Sequence, residues 1–179
     1  TNSTERVVAM ADVNGDGAHD LVLGGPGSDR PQRDTGLVRI VLGRTLDAPR
    51  VPQLMCDPIL TMRGQNRSEA LGHASTALGD LDGDGCDEIA IGAPNRGNGL
   101  VRVVFGWGGD NCPSDPEMVV LSTNRPSAQF GYALAQGHLV GDGTGDLLVG
   151  APRARNERNT RTGRFQVVDG AWIAGLPRQ

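Results

Sequence analysis

The stretch "DLDGDGCDEIAIGAP", residues 80–94, runs from a glycine-punctuated acidic segment straight into a short apolar one and closes on Ala-Pro. The same order occurs as "DVNGDGAHDLVLGGP" at 12–26 and as "HLVGDGTGDLLVGAP" at 138–152, so Pro26, Pro94 and Pro152 end equivalent segments. Each is followed by a polar loop and a second apolar run: "GLVRIVLG" at 36–43, "GLVRVVFG" at 99–106 and "GRFQVVDG" at 163–170. The chain is therefore an internal repeat with a period of about 60 to 70 residues.

Short β-branched runs bounded by Gly, Pro, Asn and Asp read as strands joined by turns. They fall near 7–11, 20–24, 37–42 and 59–62 in the first repeat, and near 73–79, 88–92, 100–105 and 118–121 in the second. Long helices are not expected from a chain with 27 Gly and 11 Pro. A four-stranded antiparallel unit in tandem is a propeller blade. The expected fold is all-β, with three four-stranded blades at about 5–66, 67–125 and 126–179. Propellers generally close with about four to eight blades. Three units imply a piece of a longer propeller, a homodimer forming a six-bladed ring, or a partner packed on the open ends.

The acidic segments have the spacing of a cation loop. Oxygen side chains at positions 1, 3 and 5, a carbonyl at 7 and a carboxylate at 9 can wrap a hard divalent ion, and Gly at 6 permits the sharp turn. The first loop offers Asp12, Asn14, Asp16, the carbonyl of Ala18, and Asp20; the second offers Asp80, Asp82, Asp84, the carbonyl of Cys86, and Glu88. An all-oxygen set selects calcium, and two Ca2+ sites are expected. Without an ion, three and four carboxylates crowd these loops, so binding is expected to stiffen the turn between the inner strands. In the third loop His138 and Val140 replace the first two ligands, only Asp142 and Asp146 remain, and no calcium is expected. An EF-hand needs a following helix and an acid at position 12, which is Leu23 or Ile91 here.

Composition removes several function classes. The net charge of -4 argues against general nucleic-acid affinity. No apolar run reaches the roughly 18 residues that span a bilayer, and "TNSTER" lacks a signal-peptide core, so a mature or excised soluble segment is expected. No Ser/His/Asp set or pair of general acids stands out, and no catalysis is expected. Three cysteines leave the redox compartment open. Cys56 and Cys112 occupy corresponding connections and either pair or remain thiols, while for Cys86 the carbonyl is expected to matter rather than the thiol. Trp107 and Trp172 are expected to be packing residues.

Alternating strand directions put the acidic loops on one face and the connections at 27–35, 63–70, 95–98, 123–128 and 153–162 on the other. That second face collects Arg30, Arg33, Arg96, Arg153, Arg155, Arg158 and Arg161, an arrangement suited to an anionic ligand. All 17 basic residues are Arg, so solvated loops in such a chain carry the same pattern without any ligand.

The stretch "FGYALAQGHLVGDGTGDLLVGAP" at 130–152 resembles the FG-GAP repeat of integrin α-subunit β-propellers. "LGHASTALGDLDGDGCDEIAIGAP" at 71–94 is similar, with Leu71 in place of Phe. The first copy departs further: no Phe-Gly pair precedes it, and Gly25 stands where the family has Ala. The resemblance implies a calcium-stabilised, extracellular or cell-surface module for adhesion or ligand recognition, binding a protein or anionic polysaccharide on the face opposite the metal loops. It leaves two other roles open: a structural assembly module of a larger surface protein, and an accessory propeller of a secreted hydrolase.

Overall fold

A computed structural model of the chain describes residues 5–29, 33–43, 60–108 and 115–179. Among them are eleven strands and one short helix. The first sheet holds β1 (Arg6–Ala11), β2 (Asp20–Gly24), β3 (Leu37–Val41) and β4 (Leu60–Arg63); the second holds β5 (Ser75–Gly79), β6 (Glu88–Ala93), β7 (Leu100–Val104) and β8 (Met118–Ser122). Both are antiparallel meanders in chain order. These are blade-like sheets, and they do not close into a full ring.

The third sheet corrects the expectation of four strands: it has β9 (Ala133–Gly137), β10 (Asp146–Ala151) and β11 (Arg164–Val168) only. After β11 the chain enters α1 (Gly170–Ala174), because Asp169 caps it by accepting from Trp172 N at 3.0 Å. Ile173 of α1 is fully buried between the second and third sheets. The chain then returns to the second sheet, where Gln179 and Met118 exchange both backbone hydrogen bonds.

The pleat explains how the sheets stack. Alternate residues of a strand face opposite sides, and β6 is buried along its whole length. Ile89, Ile91 and Ala93 pack with Val22, Val38 and Ile40 of the first sheet. Ala90, together with Val101 and Val103 of β7, packs with Leu147, Val149 and Val168 of the third. The leading strands lie side by side, β1 next to β5 and β5 next to β9.

Glycine sets the approach between sheets. A Cβ on Gly24 would lie 2.3 Å from Gly72 O, and one on Gly92 would lie 2.1 Å from Gly131 O. The Gly that closes one acidic repeat thus meets the Gly that leads the next, and Gly72 and Gly131 themselves have φ of 83° and 85°. Parallel bridges Gly36↔Leu71 and Gly99↔Phe130 seat the leading apolar residue against the preceding sheet.

Candidate metal centre

The three acidic loops connect β1 to β2, β5 to β6 and β9 to β10 on one face. Each carries two glycines at positive φ: Gly15 and Gly17, Gly83 and Gly85, Gly141 and Gly143. Those turns let the side chains fold back on the loop's own N–H groups. Asp12 accepts from Asp16 N (3.0 Å) and Gly17 N (2.8 Å); Asp80 accepts from Gly83 N (2.7 Å) and Gly85 N (3.0 Å). At the fifth position Asp16, Asp84 and Asp142 accept from Ala18 N, Cys86 N and Thr144 N, respectively.

The ninth position is a buried acid in all three copies, and both of its oxygens are used. Asp20 accepts from Val13 N (2.9 Å) and Gly43 N (2.7 Å), and Glu88 from Leu81 N (2.6 Å) and Gly106 N (3.3 Å). Asp146 accepts from Leu139 N, Val140 N and Gly170 N. This acid clamps the acidic loop to the far end of the second apolar run. The clamp supplies a reason for Asp146 to be present in a loop that lacks the first two ligands.

Electrostatics separates the copies. Desolvation pushes Glu88 up to about 8, against the pull of Leu81 and Gly106 N–H and with repulsion from Asp82 and Asp84. Burial also raises Asp20 and Asp84. Asp146 is lowered, chiefly by the Val140 N–H.

In the second loop, ligand atoms of Asp80, Asp82 and Glu88 lie within 4.8 Å of one another. Among the described residues this is the one acidic group that converges so closely; Asp84 stands outside it. Three carboxylates, one of them buried with its proton affinity raised, make a donor set that fits a hard divalent cation. Asp12, Asn14, Asp16 and Asp20 share the first loop without that convergence, and the third loop exposes Leu139 and Val140.

Sequence reasoning missed several residues around these loops. Asp87 is not at a ligand position, yet its carboxylate accepts from Asp12 N (2.9 Å) and its own N–H donates to Asp12 O (2.8 Å), tying loop one to loop two. Arg178 reaches Asp82 at 2.6 Å from the end of the chain. Cys86 is disulfide-bonded, so its sulfur matters after all. Cys56 and Cys112 lie outside the described residues; because a bonded Cys86 takes one of them in a chain of three cysteines, the expected alternative of a Cys56–Cys112 pair is excluded. Trp107 is buried beside the first sheet as expected, whereas Trp172 is 54% exposed on α1 and does not fill the core.

On the opposite face Arg33, Arg96, Arg153, Arg155, Arg158 and Arg161 are all exposed; Arg30 lies outside the described residues. The last four share one hairpin-like loop, organised by Asn156, whose Oδ1 accepts from Arg158 N and Thr160 N. Arg155 is partly committed to the Asn159 carbonyl at 2.6 Å, and Arg33 lies 3.5 Å from Asp34. Glu69 belongs to the connections of this face but is buried, bonded to Arg102 at 2.7 Å between the first two sheets. The charge inside "LVRVV" was the available signal for that pair.

The FG-GAP repeat model matches residues 6–41 and 74–104. Human integrin alpha-IIb is 37% identical over 153 residues, which is 80% of this chain and 14% of that protein. Integrin alpha-5 of Xenopus laevis is 36% identical over 151 residues, 80% of the chain and 14% of its own length. Phosphatidylinositol-glycan-specific phospholipase D of Rattus norvegicus is 34% identical over 156 residues, 83% of the chain and 18% of that protein. The chain spans less than a fifth of the length of these relatives. No helix among the described residues is long and apolar enough to cross a membrane.

Proposed function

For a chain built of FG-GAP repeats, we propose the role of an extracellular or cell-surface recognition module, non-catalytic in itself, whose blades are stiffened by calcium and whose Arg-bearing face meets the ligand. The observation that carries this reading is the convergence of Asp80, Asp82 and Glu88 in a loop repeated on one face of the sheets. Asp80, Asp82, Asp84, the Cys86 carbonyl and Glu88 would hold one ion; Asp12, Asn14, Asp16, the Ala18 carbonyl and Asp20 would hold the second. A bound calcium ion supplies positive charge that neutralises the crowded carboxylates. Recognition of an acidic protein loop or anionic polysaccharide falls to Arg33, Arg96, Arg153, Arg155, Arg158 and Arg161, with Arg30 from the same connection. Calorimetric titration with calcium, with the melting temperature followed in parallel, tests the metal half. Calcium is expected to raise Tm in the parent, and Asp80→Asn to remove the second-loop site; no heat and no Tm change would refute it. Replacing Arg153, Arg155, Arg158 and Arg161 with Ser tests the other half by loss of binding to heparin or an acidic peptide.

Two further roles rest on specific observations. Similarity to a phosphatidylinositol-glycan-specific phospholipase D favours an accessory propeller beside a catalytic domain. The flank of the third sheet favours assembly with further blades or a second copy. Phe165 is 74% exposed and Val167 38%, at positions where β7 has the buried Val101 and Val103. A groove lined by Tyr132, Ala133, Gly150, Pro152, Gly163 and Phe165 lies on that side.

A further inference from the structure

At the candidate ligand positions the second loop differs from the first by one carboxylate, Asp82 against Asn14, and a basic side chain is planted on that carboxylate. Arg178 Nη2 donates to Asp82 Oδ2 at 2.6 Å, and Nη1 lies 3.3 Å from Glu117 Oε2. Its guanidinium carbon sits 3.7 Å from the centre of the Phe105 ring. The pair is held rather than fully solvated: the side chains of Arg178 and Asp82 are 23% and 15% exposed, although the Asp82 backbone lies at the surface. The backbone on either side is fixed too, by the reciprocal Gln179–Met118 hydrogen bonds and by Leu176 against the core between the second and third sheets.

We propose that Arg178 is a tethered counter-ion of the second loop, so that occupation of the loop by a divalent cation competes with docking of residues 175–179 on the second sheet. This rests on the reading of that loop as a cation site. Asp82 Oδ1 accepts from Asp84 N, and Oδ2 is the oxygen that Arg178 holds. An ion there gains Asp82 only by sharing it with, or taking it from, a guanidinium of like charge. Arg178 therefore lowers the affinity of the second loop and offsets its extra carboxylate. The C-terminal segment becomes a strap whose docking reports the state of the loop.

The test is calcium titration by calorimetry in the full chain carrying Asp16→Asn, which isolates the second loop, with and without Arg178→Gln and Arg178→Lys. Removing the charge is expected to tighten calcium binding on the order of tenfold, for one positive charge about 5 Å from the ion in a partly exposed site; Lys is expected to remain close to Arg. In the chain with Arg178 intact, calcium is expected to speed amide exchange at Leu176, Arg178, Gln179 and 117–119. Equal or weaker calcium affinity in Arg178→Gln, or exchange in that segment unchanged by calcium, overturns the proposal while leaving the metal reading intact. Absence of calcium binding in every variant overturns both. The exchange measurement needs no substitution at Arg178 and stands even if that variant folds poorly.

Discussion

At the scale of single residues, Glu88 does two jobs that pull in opposite directions. Its oxygens receive the Leu81 and Gly106 N–H groups, which favours the charged form, but burial beside Asp82 and Asp84 outweighs them and lifts it to about 8. The folded state then keeps a proton that the unfolded chain has already released. Stability is fully present below the ordinary carboxylate range and falls as pH rises toward 8. Asp20 and Asp84, also raised, act in the same direction. In chelator, the expected loss between pH 5 and pH 8 is on the order of 2 kcal/mol, or about 5 °C in Tm. Melting curves across that range check it, and calcium is expected to flatten the slope. Glu88→Gln should flatten it too, at a cost of roughly 1–3 kcal/mol because one amide nitrogen must face a backbone N–H. The acidic loops were legible because oxygen-bearing side chains at odd spacing leave a pattern. Arg178 was not, since nothing local marks a residue 96 positions away as the partner of Asp82. Nor was the Asp87–Asp12 link, which depends on how two sheets stack.

Among the elements, the strands were the easiest part to read, because β-branched runs cut by Gly and Pro alternate on the pleat. The sheet that departs from its siblings is the third. Its second apolar run ends in Asp-Gly, and Asp169 then nucleates a turn of helix where another strand was expected. The cap competes with strand continuation through a single hydrogen bond, which the repeat period does not register. The glycines are legible as a motif, but their purpose emerges only from the contact. Gly92→Ala places a methyl 2.1 Å from Gly131 O; the expected cost is about 3 kcal/mol, the upper end for overpacking. Gly150 occupies the matching position of β10, where an added Cβ meets Ala133 at 3.3 Å. Gly150→Ala is therefore expected to cost under about 1 kcal/mol in the same chain. Denaturant unfolding of the two variants compares them directly, and equal costs would show that the Gly–Gly approach does not govern packing.

For the molecule as a whole, two flanks define the behaviour. Phe165→Glu on the outer side of the third sheet is expected to change stability by no more than about 0.5 kcal/mol, as an exposed substitution, while weakening any assembly that uses this flank. Sedimentation of the parent and the variant over a range of concentrations measures it; an unchanged profile in an assembling parent would place the contact elsewhere. The three-fold repetition was legible from end to end, whereas the partition of charge was legible only in part. Glu69, on a loop of the Arg-bearing face, turns out to neutralise Arg102 in the interior. The second sheet, by contrast, is covered on both sides, with no exposed residue along β6. Its stability is thus borrowed from both neighbours, each of which leans on it from one side only. Such a stack unravels from its outer sheets inward, as quasi-one-dimensional repeat arrays do. The middle repeat is then the last part of the chain to yield, and the part least able to persist if it is cut out alone.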